Sequence, residues 1–153
     1  MGRGAAQGGS GLRLLAALAA GSMIAGAFAP WGSITAAVMG SGSPLAVPGI
    51  RVGLDAGVIP WGWVVLAAGA IGAVGVLGDA GLAIAAGFVG AVAAVSNLAL
   101  FGRDGRLFLP KPVADLVQAH PSLAWGSVFA LASSLVLLVT AATLRNRLAH
   151  ESY

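Results

Sequence analysis

Four long apolar segments dominate the chain, and they are separated by polar or glycine- and proline-rich connections. These segments cover approximately residues 12–31, 61–78, 80–101 and 122–144. Each is close to the roughly 20 residues that a helix needs to cross the 30 Å hydrocarbon core of a bilayer. The pattern therefore predicts an all-α membrane protein, folded as a four-transmembrane-helix bundle in one domain over residues 12–147.

Both ends of the chain are polar. We expect residues 1–11, which are rich in glycine, to form a disordered tail, and residues 148–153 a second, short one. The first apolar segment also resembles a secretory signal, because Ala27-Phe28-Ala29 is a small-residue cleavage motif. Pro30 would directly follow the cut, and the apolar run is longer than usual for a signal. We therefore expect this segment to be kept as a membrane helix.

Residues 60–102 must turn back within the membrane. A single helix of this length would extend about 64 Å, which is twice the hydrocarbon thickness. Asp79 is the only charged residue in the stretch, between Gly78 and Ala80-Gly81. A charge at mid-membrane costs about 2.5–3.5 kcal/mol, whereas Asp at a helix start is a favourable cap. These residues are the predicted turn.

The two longer connections have some order of their own. Residues 34–38 and 50–54 are short β-capable runs on either side of a segment rich in glycine, serine and proline. They predict a small β-hairpin in the first outer loop. In the last loop, residues 112–119 place three apolar side chains on one helical face. This pattern predicts a short interfacial helix.

Composition agrees with lipid as the solvent. Hydrophobic residues make up 58% of the chain and charged residues 8%, against about 25% charged in soluble domains. The absence of cysteine excludes disulfides, thiolate metal sites and cysteine nucleophiles. The formal charge of +3 is spread over separate loops rather than gathered in a patch, so we expect no nucleic-acid partner.

Tryptophans and arginines indicate how the spans lie in the membrane. All four tryptophans fall at span ends that a four-span topology places on one side, where they would act as interfacial anchors: Trp31, Trp61, Trp63 and Trp125. Arg13, Arg145 and Arg147 flank spans at the opposite side. The positive-inside rule then favours cytoplasmic termini in a plasma-membrane, multi-pass protein.

Small residues recur at helical spacing within three spans. Such residues allow close helix approach, either within one bundle or against a partner protein or a second copy of the chain. The sequence leaves both alternatives open. The residues concerned are Gly69, Gly72, Gly75 and Gly78 in the second span, Ser22 and Gly26 in the first, and Gly87 and Ala91 in the third.

Few polar side chains lie inside the spans, and no charged residue lies well inside any of them. Asn97, Ser133 and Ser134 are the candidates for facing a solute, although each could equally bond a neighbouring helix or its own backbone. Proton- and cation-coupled carriers generally need an ionisable group within the membrane. We predict no catalytic, cofactor or metal site and expect that the protein is not an enzyme.

The layout resembles that of uncharacterised small four-span membrane proteins of actinobacteria. The resemblance rests on Ala27-Phe28-Ala29-Pro30-Trp31 at the end of the first span, and on Gly53-Leu54-Asp55-Ala56-Gly57 ahead of Trp61-Gly62-Trp63. In such proteins these elements bracket the first outer loop. The resemblance implies a cell-envelope location and no established activity.

These observations favour a non-enzymatic membrane protein that serves as an accessory or scaffold subunit of a cell-envelope or transport complex. The expected partners are the lipid bilayer and a membrane protein or further copies of the chain. The alternative is a small self-assembling transporter or channel for a neutral or lipidic solute, with Asn97 in its lining.

Overall fold

The computed structural model describes residues 3–36, 44–51, 60–103 and 119–151. A 3₁₀ turn, Gly49–Arg51, follows the second strand. The helices and strands are, in chain order, α1 (Arg3–Phe28), β1 (Pro30–Ala36), β2 (Pro44–Pro48), α2 (Trp61–Gly78), α3 (Ala80–Arg103), β3 (Ala119–Leu123) and α4 (Trp125–Glu151).

All four helices are long and apolar enough to cross a membrane. Their spanning segments are Gly9–Phe28, Trp61–Gly78, Ala80–Ala99 and Trp125–His150. Large apolar side chains point outward from them; Leu77, for example, is 85% exposed and Val74 65%. Lipid is the solvent that accommodates such a surface. The prediction of a four-helix membrane bundle is confirmed, and the chain has the architecture of a multi-pass membrane protein.

The helices pack in a ring. Helices that follow one another in the chain are in contact, and α1 closes the ring against α4. Alanine and glycine line much of the interior, and Met23, Val65 and Leu137 are its larger buried side chains. Because lipid tails solvate leucine well, helices in a membrane gain mainly from close contact, which small residues permit. The bundle is accordingly built on short distances between helix backbones.

The turn between α2 and α3 lies where the sequence predicts it. Asp79 alone separates the two helices, its amide donates to the Gly75 carbonyl, and its Oδ1 accepts from the Gly81 amide at 2.8 Å. The carboxylate thus satisfies one of the unpaired amides at the start of α3. Neither Gly78 nor Gly81 has a positive φ. The reversal therefore does not depend on left-handed backbone.

A three-stranded antiparallel sheet lies at one end of the bundle, in the order β2-β1-β3. The predicted hairpin is present as β1 and β2, and its second strand is Pro44–Pro48. Of the predicted strand at residues 50–54, the first two residues belong to the 3₁₀ turn, and residues 52–54 lie outside the described residues. The third strand is not foreseen by the sequence. It pairs Ser122 with Ser33, and the two hydroxyls are 2.6 Å apart.

On both edge strands of this sheet, prolines occupy positions at which the backbone nitrogen points away from β1. Pro121 cannot donate a hydrogen bond, so its pairing with Ile34 is of the non-bonded kind, in agreement with the Ala124 amide bonding the Trp31 carbonyl. The same alternation turns Pro44 and Pro48 away from β1. Edge prolines deprive an approaching strand of donors. The sheet is thus protected against strand addition.

Several predicted boundaries differ from those in the structure. The first helix ends at Phe28 because proline disfavours helical backbone in the preceding residue, and Pro30 instead begins β1. The fourth helix begins at Trp125, three residues later than predicted, because Ser122 and Leu123 pair with β1.

Helical structure also extends into the segments predicted as tails. It reaches back to Arg3 and forward to Glu151, since helical hydrogen bonding continues beyond the apolar windows at both ends. Of the predicted interfacial helix, residues 112–118 lie outside the described residues, and Ala119 belongs to β3.

Candidate functional site

Trp31 joins the sheet to the bundle. Its side chain is fully buried, and its Nε1 donates a 2.8 Å hydrogen bond to the Gly26 carbonyl at the last turn of α1. Gly49 and Gly126 both pack against the indole so closely that a Cβ at either position would lie within 3 Å of ring atoms. Glycine at these two positions therefore lets the 3₁₀ turn and α4 close over the tryptophan.

The four predicted anchors do not share one environment. Trp63 and Trp125 are 49% and 60% exposed at the sheet end of their helices, as an interfacial ring requires. Trp31 is instead fully buried, so it is not an interfacial anchor, because the 3₁₀ turn at Gly49 and α4 at Gly126 pack against its ring. Trp61 is intermediate: the residue as a whole is partly buried, and its Nε1 is fully buried.

Most of the small residues identified from the sequence lie on contacts inside the bundle. A Cβ on Gly69 would meet Ile24 of α1, one on Gly75 would meet the Ala83 backbone, and one on Gly87 would meet α4. Gly26 packs on Ala130 in the same way, and Gly72 packs against Leu137. Ser22 and Ala91 are partly buried, and only Gly78 has open space around it. Apart from Gly78, these glycines are used for packing within the chain.

A different set of small residues faces outward, on α1. Ala17, Gly21 and Ala25 are exposed and follow one another at intervals of four, so they form a shallow stripe along one side of the helix. A Cβ on Gly21 would touch nothing within 4 Å. The outward faces of α3 and α4 carry mainly bulky residues at comparable positions, such as Phe88 and Val139. Sequence reasoning missed this stripe in favour of the adjacent Ser22 and Gly26.

The hydroxyl groups of α4 are already engaged. Ser133 and Ser134 donate to the carbonyls four residues earlier, at 2.9 and 2.8 Å, and Thr140 donates to its own helix in the same way. Such bonds satisfy a buried hydroxyl without any ligand. Ser133 and Ser134 therefore use their donors within the helix, and the predicted solute-facing set is reduced to Asn97.

Asn97 is the exception to this pattern. Its side chain is 1% exposed, and neither its Oδ1 nor its Nδ2 has a hydrogen-bond partner in the protein. The indole Nε1 of Trp61 is buried and equally without a partner. Nearly all buried polar groups in proteins are hydrogen-bonded, and an amide left unpaired costs about 1–3 kcal/mol. The unpaired Asn97 amide and the unpaired Trp61 Nε1 are the most unusual chemical feature of the bundle.

The opposite end of the bundle has a shallow cleft between the α2–α3 turn and α4. Arg13, Asp79 and Leu144 are among its lining residues. The Asp79 carboxylate is engaged in capping α3. Within the described ranges, no three histidine, aspartate or glutamate side chains converge as a metal site would require. The Gly53–Gly57 element of the first loop lies outside those ranges.

Comparison with known proteins adds no family to these observations. No family model matches the chain, and no curated protein matches it significantly.

Proposed function

We propose that the chain is a non-enzymatic accessory or scaffold subunit that joins a larger membrane complex through the outward face of α1. The observation that carries this proposal is the stripe of Ala17, Gly21 and Ala25 on that face. Small residues at intervals of four let a second helix approach closely, and close approach is the main source of helix affinity in lipid. The plasma membrane or cell envelope is the proposed location.

The rest of the surface supports the same face as the docking site. The sheet edges carry Pro44, Pro48 and Pro121 at outward positions, which disfavours a partner that adds a strand. Leu14, Leu18 and Phe28 are 55–63% exposed beside the stripe and can flank an approaching helix. Gly69, Gly72 and Gly75 of α2 are occupied by contacts within the chain.

The test is affinity purification in mild detergent through a tag at the C-terminus, comparing the wild type with Gly21→Leu. Because nothing lies within 4 Å of a Cβ at Gly21, leucine fits without disturbing the bundle. It would hold a second helix away from the stripe. We expect a stoichiometric membrane-protein partner in the wild type, reduced about tenfold or more in the variant, a loss of at least about 1.4 kcal/mol.

Ala85→Leu is the matched control, since Ala85 is exposed on α3, where the lipid-facing side chains are already bulky. It adds similar volume and should leave the partner bound. A wild-type protein that is monomeric and alone, or a partner retained by Gly21→Leu, would overturn the proposal. A complex made only of this chain would identify the partner as a second copy.

A second candidate function rests on a separate observation, the unpaired amide of Asn97. It is a small transporter or channel for a neutral or lipidic solute, for which this amide would be the polar contact. Flux of such a solute into reconstituted vesicles, lost in Asn97→Leu and kept in Ser134→Ala, would support it. Equal flux in all three proteins would exclude it.

A further inference from the structure

Trp61 and Asn97 lie level with each other on adjacent helices. Lower in the bundle, Gly72 packs on Ala86 across the contact between α2 and α3, which run in opposite directions. Trp61 precedes Gly72 by eleven residues, and Asn97 follows Ala86 by eleven. Eleven residues are close to three helical turns, so both side chains return to the facing sides, about 16 Å nearer the sheet.

A third polar group is at the same level on α4. Gly90 of α3 packs against the Ser134 side chain, and seven residues toward the sheet on each helix lead to Asn97 and Ser127. Ser127 is fully buried, and its hydroxyl makes one long bond of 3.4 Å to the Ala124 carbonyl. Its oxygen therefore keeps capacity to accept a hydrogen bond.

These groups have complementary hydrogen-bonding capacity but no protein partners of their own. Asn97 offers an acceptor at Oδ1 and two donors at Nδ2, and Trp61 offers one donor at Nε1. Neither residue is bonded to the other, although the helix register places them level. Both carry no charge, and between Trp61 and Ala99 the only charged residue is Asp79, at the far end of α2 and α3.

We propose that Trp61 and Asn97, with Ser127 beside them, form a buried binding site for a small uncharged molecule that both accepts and donates hydrogen bonds. The ligand accepts from Trp61 Nε1 and from Asn97 Nδ2, and it donates to Asn97 Oδ1. A charged ligand is excluded because no described residue at this level would neutralise it, and an apolar one because it would leave all three atoms unpaired. Water and the amide or hydroxyl of a solute share this chemistry. The site is independent of the α1 stripe.

The test is nuclear magnetic resonance of the detergent-solubilised full chain, observing the Trp61 indole N–H and the Asn97 side-chain amide. Cross-relaxation from bound water to both groups would identify water as the ligand. A saturable shift of both signals on titration with acetamide would identify a solute amide as the better occupant. Neither signal responding to water or to acetamide would overturn the proposal.

Variants test whether the two groups share one ligand. In Asn97→Leu, which removes the amide at similar volume, the response of the Trp61 N–H should be lost; a response that persists unchanged would overturn the shared site. Trp61→Phe provides the reciprocal measurement at the Asn97 amide should the first variant fail to fold. Ser134→Ala is the control, since that hydroxyl bonds its own helix, and Trp63 gives an exposed indole signal for comparison.

Discussion

The indole Nε1 of Trp31 donates a hydrogen bond to the carbonyl of Gly26, 2.8 Å away, across the point where α1 ends and the sheet begins. This carbonyl lies in the last turn of the helix, where it also accepts a 3.2 Å hydrogen bond from the Ala29 amide just beyond the helix end. The same indole is enclosed by Gly49 and Gly126. One side chain therefore caps a membrane helix and holds an extramembrane sheet on the bundle.

Replacing Trp31 should destabilise the protein in proportion to what is removed. Trp31→Phe removes one of two hydrogen bonds to the Gly26 carbonyl, which also accepts from the Ala29 amide, and should cost about 0.5–1.5 kcal/mol. Trp31→Ala also opens a large cavity and should cost about 3–5 kcal/mol. Thermal unfolding in detergent, followed by circular dichroism, measures both. Trp63→Phe, at a 49% exposed position, is the control and should change stability by less than about 0.5 kcal/mol. Equal effects at Trp31 and Trp63 would contradict the buried role of Trp31.

Glycine-to-alanine substitutions along α2 should differ according to what the new methyl group meets. At Gly75 it would lie 2.6 Å from the Ala83 backbone nitrogen, which cannot move without displacing α3. At Gly72 it would meet the flexible end of Leu137. We expect Gly75→Ala to cost about 1–3 kcal/mol and Gly72→Ala less.

Gly78→Ala is the reference for this series, because its methyl group would meet nothing within 4 Å. The substitution should be neutral or stabilise α2 by up to about 1 kcal/mol, through helix propensity. Unfolding midpoints of the three variants in one detergent give the order. Gly78→Ala proving the most harmful would contradict the packing described for α2.

The number of spanning helices and their approximate bounds can be predicted from the sequence, because the length of each apolar segment determines them. The bounds of α2 are those predicted, since Pro60 precedes the apolar run and Asp79 ends it. Which side of each helix faces the interior of the bundle is harder to predict. In a membrane both the buried and the lipid-facing sides are apolar, so periodicity does not distinguish Gly21, which faces outward, from Gly26, which faces α4.

The sheet and the polar site depend on contacts between distant parts of the chain. The third strand contains a proline and becomes a strand only through pairing with β1, some ninety residues earlier, as the separation of Ser33 and Ser122 illustrates. The burial of Trp31 results from Gly49 of the 3₁₀ turn and Gly126 of α4 packing on its ring, and it could not be read from its position at a span end. Asn97 could be recognised in the sequence as an unusual residue. That it lies at the same height in the bundle as Trp61 could be known only from how α2 packs on α3.

The edge prolines should limit self-association of the sheet. Pro121→Ala adds an outward-facing N–H to β3 where an approaching strand would find a donor. We expect dimers or larger species to appear, measured by size-exclusion chromatography with light scattering. Ser122→Ala is the control, because it changes a side chain and adds no backbone donor. Oligomers that form equally in both variants would show that the edge proline is not the protecting element.

The absence of cysteine makes the orientation of the chain directly measurable. Ser122 lies at the sheet end and His150 near the opposite end of α4, and both are exposed. With cytoplasmic termini, as Arg13, Arg145 and Arg147 favour, a membrane-impermeant maleimide added to intact cells should label Ser122→Cys. It should label His150→Cys only after permeabilisation. The reverse pattern would place the sheet in the cytoplasm and contradict the predicted orientation, and labelling of both positions in intact cells would contradict a spanning α4.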